Sequence, residues 1–142
     1  FFTRLSVHKK HKAVEPKLAD IFPRMAKYHP NLSNLSGDKL QNAMDLMMKK
    51  VPMPFEQMVD DTYWGMPALL PQQAYDSKLS GPCDDLKYML VQEVVAYFNM
   101  KTQTDYHDLY LWTDSLALAD CMEAMRAGWR RQWRTSSTMS VC

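Results

Sequence analysis

From Asp105 to Arg134 the chain runs without a proline, while all eight of its prolines lie at or before Pro82. Apolar residues recur along that run at Leu109, Trp112, Leu116, Leu118, Met122, Met125, Trp129 and Trp133, the three-and-four spacing of a helix. Thr104 or Asp105 is placed to cap its start. A continuous helix over 105–134 is about 45 Å long at a rise of 1.5 Å per residue. One domain of 142 residues does not need an element of that length. One end of the helix is therefore expected to project from the body.

Upstream, the prolines divide the chain into shorter pieces. Pro16 can open a helix, since its missing N–H is not needed at the first helical position, and Pro23 should break or kink it. Residues 29–38, HPNLSNLSGD, form a loop of turn formers. Leu40, Ala43, Met44, Met47 and Val51 share one helical face, with Ser36 or Asp38 at the start, Lys49 and Lys50 at the negative end of the dipole, and Pro52 as the stop. Pro54 is expected to restart a helix with Phe55, Met58 and Val59 on one side. Residues 63–82 read as a connector holding one turn at Gln72–Tyr75, its Met66, Ala68, Leu69 and Leu70 packed on the body. Beyond Pro82, the residues Leu86, Met89, Leu90, Val94, Tyr97 and Phe98 give a second helical face, with Asp84 and Asp85 in the favourable first turn. Only four glycines are present against twelve methionines. That balance disfavours phosphate-cradling loops and hairpin-rich β folds, and suits helical cores and adaptable surfaces.

The expected fold is all-α: an irregular bundle of three main helices (38–51, 83–99 and 105–134) plus short proline-started helices. An extended basic arm occupies 1–15, a single helical domain 16–134 and a flexible tail 135–142.

Candidate chemistry is sparse. His8 and His11 lie among lysines, where positive charge disfavours a metal ion. His107 sits between Asp105 and Asp108 and could form a carboxylate–histidine base, but no nucleophile or glycine-rich turn accompanies it. Capping aspartates beside a surface histidine explain it better. Neighbouring carboxylates on a helix diverge by about 100°, so Asp60–Asp61 and Asp84–Asp85 read as solvated pairs. Cys83, Cys121 and Cys142 are far apart and odd in number, which indicates neither a zinc site nor a disulfide framework. A reducing compartment is the simpler inference. Cys83 after Pro82 could gain thiolate character from a helix N-terminus, though inert packing is the plainer reading. No cofactor, metal or small-molecule substrate is expected, and the chain reads as non-enzymatic.

Charge and aromatic placement point to partners. The net charge is only +1, yet residues 1–17 carry +4 and residues 121–142 carry +3, leaving −6 between them. Lys9, Lys10 and Lys12 lie in the first basic stretch. Near the other end, Trp129 and Trp133 share a helix face beside the stripe Arg126, Arg130 and Arg134, residue types enriched at interaction hot spots. Neighbouring protein subunits, anionic lipid headgroups and, less well, RNA fit this combination. The competing reading makes the tryptophans core and lets the arginines lie over them. No apolar run approaches the roughly 20 residues of a membrane span. The start FFTRLSVHKKHK is basic and nearly free of acids, like the end of an organelle-targeting leader or the stretch just after one.

One segment carries a family resemblance. Residues 39–58, KLQNAMDLMMKKVPMPFEQM, are similar to part of the small matrix-side helical subunit of the mitochondrial cytochrome bc1 complex. The matching positions are Ala43, Asp45, Leu46, Lys49, Lys50, Pro54, Glu56 and Gln57, preceded by PNLSN at 30–34. Met58 stands where the family has tryptophan, and this chain continues through two further helices. The resemblance covers residues 30–58. It implies an accessory subunit without catalytic residues, packed on a membrane complex from the matrix side.

Together these features lead to the expectation of a non-catalytic accessory subunit of a mitochondrial assembly, a respiratory-chain or ATP synthase complex, peripheral to the inner membrane. The alternative is an RNA-binding mitochondrial ribosomal protein, which the acidic middle disfavours.

Overall fold

The computed structural model describes residues 15–139 of the chain. Five α-helices occur there: α1 (Leu18–Ile21), α2 (Pro23–Tyr28), α3 (Gly37–Met48), α4 (Asp85–Tyr97) and α5 (Gln103–Met139). Three 3₁₀ turns, Phe55–Gln57, Asp61–Gly65 and Gln72–Tyr75, lie between α3 and α4. No strand forms among the described residues, only isolated bridges at Pro67–Thr102 and Ser77–Gly81. The protein is all-α, and its last helix is by far the longest.

Pro23 acts as its chemistry requires. It takes the first position of α2 and separates that helix from α1 at Phe22. α3 ends at Met48, before the expected Val51, with Lys49 as its C-cap. The helix expected after Pro54 shrinks to the Phe55–Gln57 turn, leaving Phe55 and Val59 exposed. Two prolines without N–H groups precede this segment, and of its apolar residues only Met58 packs on the core, too little to sustain more turns. The expected Gln72–Tyr75 turn is present. Of the Asp60–Asp61 pair, Asp60 caps the next turn by accepting the Thr62 N–H at 2.9 Å, and Asp61 is exposed. That bond and the Thr62 hydroxyl hold the Asp60 carboxyl below its usual range.

The core joins α2, α3, α4 and the first half of α5 through Met25, Leu32, Ala43, Met44, Met47, Val91, Val94, Tyr106 and Leu109. α4 turns inward only part of the face its sequence suggests: Leu90 and Phe98 pack half-buried on the core beside Val94, while the first turns of that face point outward. Val91 and Val94 are buried, whereas Leu86 and Met89 face solvent, Leu86 at 79% exposure. The helix is apolar nearly all round, so periodicity alone does not select its inner face. Its N-terminus is capped by Asp84, which accepts the Lys87 N–H at 2.8 Å.

Three buried polar groups stitch the body to α5. Gln103 donates its side-chain amide to the carbonyls of Pro67 (2.9 Å) and Ala68 (2.7 Å) and accepts the Tyr63 hydroxyl at 2.9 Å. Burial holds the Tyr63 phenol up at about 12. His29 accepts the Asn31 N–H on Nδ1 at 3.2 Å. Its Nε2 therefore carries the proton and donates to Thr113 Oγ1 at 3.2 Å, which passes a bond to the Leu109 carbonyl at 2.6 Å. Burial lowers the His29 pKa, so the ring is neutral in the fold. Asp120 accepts the N–H groups of Arg24 (3.1 Å) and Met25 (3.0 Å). It thereby caps α2 from another helix, and the Arg24 guanidinium lies 3.5 Å away. Every buried side-chain nitrogen and oxygen among the described residues has a partner.

Candidate functional site

α5 contains 37 residues, a length of about 55 Å. It starts two residues before Asp105 and continues past Arg134 to Met139. Asp105 helps to cap it from within the first turn. Its carboxylate reaches back to the N–H groups of Lys101 (3.0 Å) and Thr102 (3.2 Å), as the third helical residue does in a capping box. Those bonds hold the Asp105 carboxyl below its usual range.

The helix has two apolar sides, set by its period. Tyr106 and Leu109 are buried in the body, with Leu116 and Ala117 half-buried beside them. On the opposite side, Leu111, Leu118, Met122, Met125, Trp129 and Trp133 are all more than half exposed. The apolar recurrences of the sequence are thus two stripes, one inward and one outward. The body ends at Asp120. From Cys121 to Ser137 every residue is exposed except the half-buried Glu123 and Gly128. Counted to Met139, this distal part extends about 28 Å beyond the last buried residue.

The structure places Arg126, Trp129, Arg130, Trp133 and Arg134 on this distal part. Trp129 is 62% and Trp133 76% exposed, which overturns the reading in which the tryptophans belong to the core. Arg126 donates through Nε to Glu123 at 3.0 Å, with a second contact through its terminal nitrogen. Arg24 approaches the same carboxylate at 3.8 Å. These contacts, the Arg126 hydrogen bond foremost, hold the Glu123 carboxyl below its usual range. Arg130 and Arg131 are exposed. Lys9, Lys10 and Lys12, with His8 and His11, lie outside the described residues.

Elsewhere the geometry offers little reactive chemistry. A cavity of about 560 Å³ opens between the end of α3, the 77–83 turn, α4 and α5. Its walls include Met47, Met53, Tyr75, Val94 and Tyr106. Cys83 also lines it, but burial and the neighbouring Asp84 and Asp76 carboxylates push the thiol pKa up. The thiolate stabilisation that a helix N-terminus could lend is absent, because α4 begins after Cys83 and Asp84 occupies its cap, and the plainer expectation of inert packing fits. His107 lies 3.9 Å from Asp108 and meets Trp64 edge-on at 5.0 Å. It lines neither this cavity nor the one of about 380 Å³ beside Asp105 and Trp112. Among the described residues no group of three His, Cys, Asp or Glu is placed to hold a metal ion. No helix there is long and apolar enough to cross a membrane.

The sequence marks the Trp/Arg end of this surface but misses its extension to Leu111, because inward and outward stripes merge when read as one series. The spacing of the outward set alone is the signal that separates them. Comparison of the chain with protein-family models, curated proteins and solved structures gave no match.

Proposed function

We propose that this chain is a non-catalytic accessory subunit of a mitochondrial multiprotein assembly, a respiratory-chain or ATP synthase complex, held peripheral to the inner membrane on the matrix side. In this reading it works by docking and requires no cofactor, metal ion or small-molecule substrate. One observation carries it: the distal part of α5 holds two tryptophans and four arginines clear of the body. Large apolar side chains in a contiguous exposed stripe mark a surface that a partner covers. Arginine and tryptophan are the residues that contribute most when such a surface is buried. Acidic faces of neighbouring subunits suit the arginines, and anionic headgroups are a secondary contact. The basic, acid-poor start and the resemblance over residues 30–58 support the mitochondrial setting.

Native electrophoresis of the tagged chain in its own cells tests the proposal. The chain is expected in a mitochondrial species many times its own mass. The double variant Trp129→Asp/Trp133→Asp should leave that species while remaining folded. A wild-type chain that migrates alone, or outside mitochondria, contradicts the proposal.

A further inference from the structure

We infer that two copies of this chain pair antiparallel through the outward face of α5, about a two-fold axis near Met122. This rests on the reading of α5 as a docking element and names the first occupant of its apolar side. The seam runs Leu111, Ser115, Leu118, Met122, Met125 and Trp129, alternating steps of four and three. Every one of these residues is exposed. Steps of four and three keep the stripe on one side of the helix along its length. The aspartates beside the seam, Asp108 and Asp114, would face anionic headgroups unfavourably. The seam lies opposite Tyr106, Leu109 and Asp120, so the body does not obstruct it.

Charge selects both the partner and its direction. Asp105, Asp108 and Asp114 occupy the first third of α5, and Arg130, Arg131 and Arg134 the last third, while Arg126 is held by Glu123 between them. The acids between them, Asp120 and Glu123, are both within 4 Å of Arg24. A parallel copy would set acids on acids and arginines on arginines. An antiparallel copy sets each third against its opposite. Met122 is the midpoint of this pattern: Leu111 and Trp133 are each eleven residues from it. Pairing about Met122 therefore brings Leu111 of each copy to the level of Trp133 in the other, and Asp108 to within two residues of the level of Arg134 on the same flank of the seam. The contact is isologous and closed. Arg131, on the side away from the seam, stays directed at the rest of the assembly.

Sedimentation of the full chain across a wide concentration range is expected to show a monomer passing to a species of twice its mass. Met122→Glu places a like charge on the axis twice and should weaken pairing by at least about a hundredfold, roughly 2.7 kcal/mol, without loss of helical signal. Arg130→Glu/Arg134→Glu should weaken it by about tenfold, and adding Asp108→Lys should restore part of the loss. Direction is read from a spin label at Gln132→Cys with Cys121 and Cys142 replaced by serine. Labels ten residues either side of the axis lie about 30 Å apart when antiparallel, against about 10 Å in a parallel pair. A chain that stays monomeric, or a short label distance, overturns the inference. If the monomeric chain still enters the native complex, the accessory reading stands without the pairing. A pair that migrates alone in native extracts supports the pairing and removes the accessory reading.

Discussion

Between Gln103 and Asp120, α5 buries Tyr106, Leu109 and the Asp120 carboxylate in the body; between Cys121 and Ser137 it buries no residue fully. Both parts are helical and both carry a stripe of large apolar residues. Their difference lies in what faces them. The proximal part meets α2 and the 61–70 connector, and its polar groups hold backbone from both. The distal part reaches the body through the Glu123–Arg24 ion pair at 3.8 Å. A helix segment on its own is marginal in water, since propensity contributes little without a packed face. The distal part is therefore the least self-sufficient region, and the one where covering surface matters most.

The same truncation made in each region separates them most strongly. Met25→Ala, at a fully buried position, is expected to cost about 3 kcal/mol. Met125→Ala on the distal part is expected to cost under about 0.5 kcal/mol. Denaturant unfolding at a dilution where the chain is monomeric reads both. Equal losses would mean that the distal stripe is covered by the chain itself.

Asp120→Ala removes the joint between the two parts. It leaves two N–H groups of α2 without acceptors and is expected to cost about 2–3 kcal/mol, a fall in Tm of roughly 5–10 °C. Glu123→Ala, three residues on, loses only exposed ion pairs and should shift Tm by no more than a degree or two. A reversed order of the two variants would relocate the end of the body.

Acid provides a milder perturbation confined to the body. The folded His29 pKa lies below the unfolded value of 6.5, so the unfolded chain binds the extra proton first. The contribution of His29 is complete above that value and declines as pH falls through it towards the folded pKa. Melting should drop by a few degrees between neutral and mildly acid solution, and His29→Gln should flatten that slope. The smallest effect is expected from Trp133→Ala: no measurable change in the Tm of the dilute monomer, while the concentration dependence of Tm weakens. A lowered monomer Tm would place Trp133 in contact with the body.

Much of this contrast is legible in the sequence. The proline-free run from Asp105 predicts a helix too long for the body, and Trp129, Trp133, Arg126, Arg130 and Arg134 stand on its projecting part. Pro23 separates α1 from α2, and Gln72–Tyr75 forms its turn. The inner face of α4 was only partly legible: Leu90, Val94 and Phe98 pack inward as their spacing predicts but Leu86 and Met89 do not, because a helix that is apolar nearly all round gives periodicity little to choose between. Gln103, His29 and Asp120 were equally hidden. Each has a partner more than thirty residues away, and no local pattern encodes such a contact. The outward seam was concealed by its neighbour: Leu109 and Leu116 belong to one side, Leu118 and Met122 to the other, and their series interleave. Lys9, Lys10 and Lys12 keep their place as sequence-derived candidates for a second docking surface.

Amide hydrogen exchange along α5 compares the two parts within one molecule. In the dilute monomer, amides from Gln103 to Asp120 should exchange slowly and those from Cys121 to Ser137 rapidly; in the concentrated or assembled protein the distal amides should become protected as well. Slow exchange of the distal amides in the dilute monomer would mean that the chain covers its own helix, and would contradict a docking role for that face.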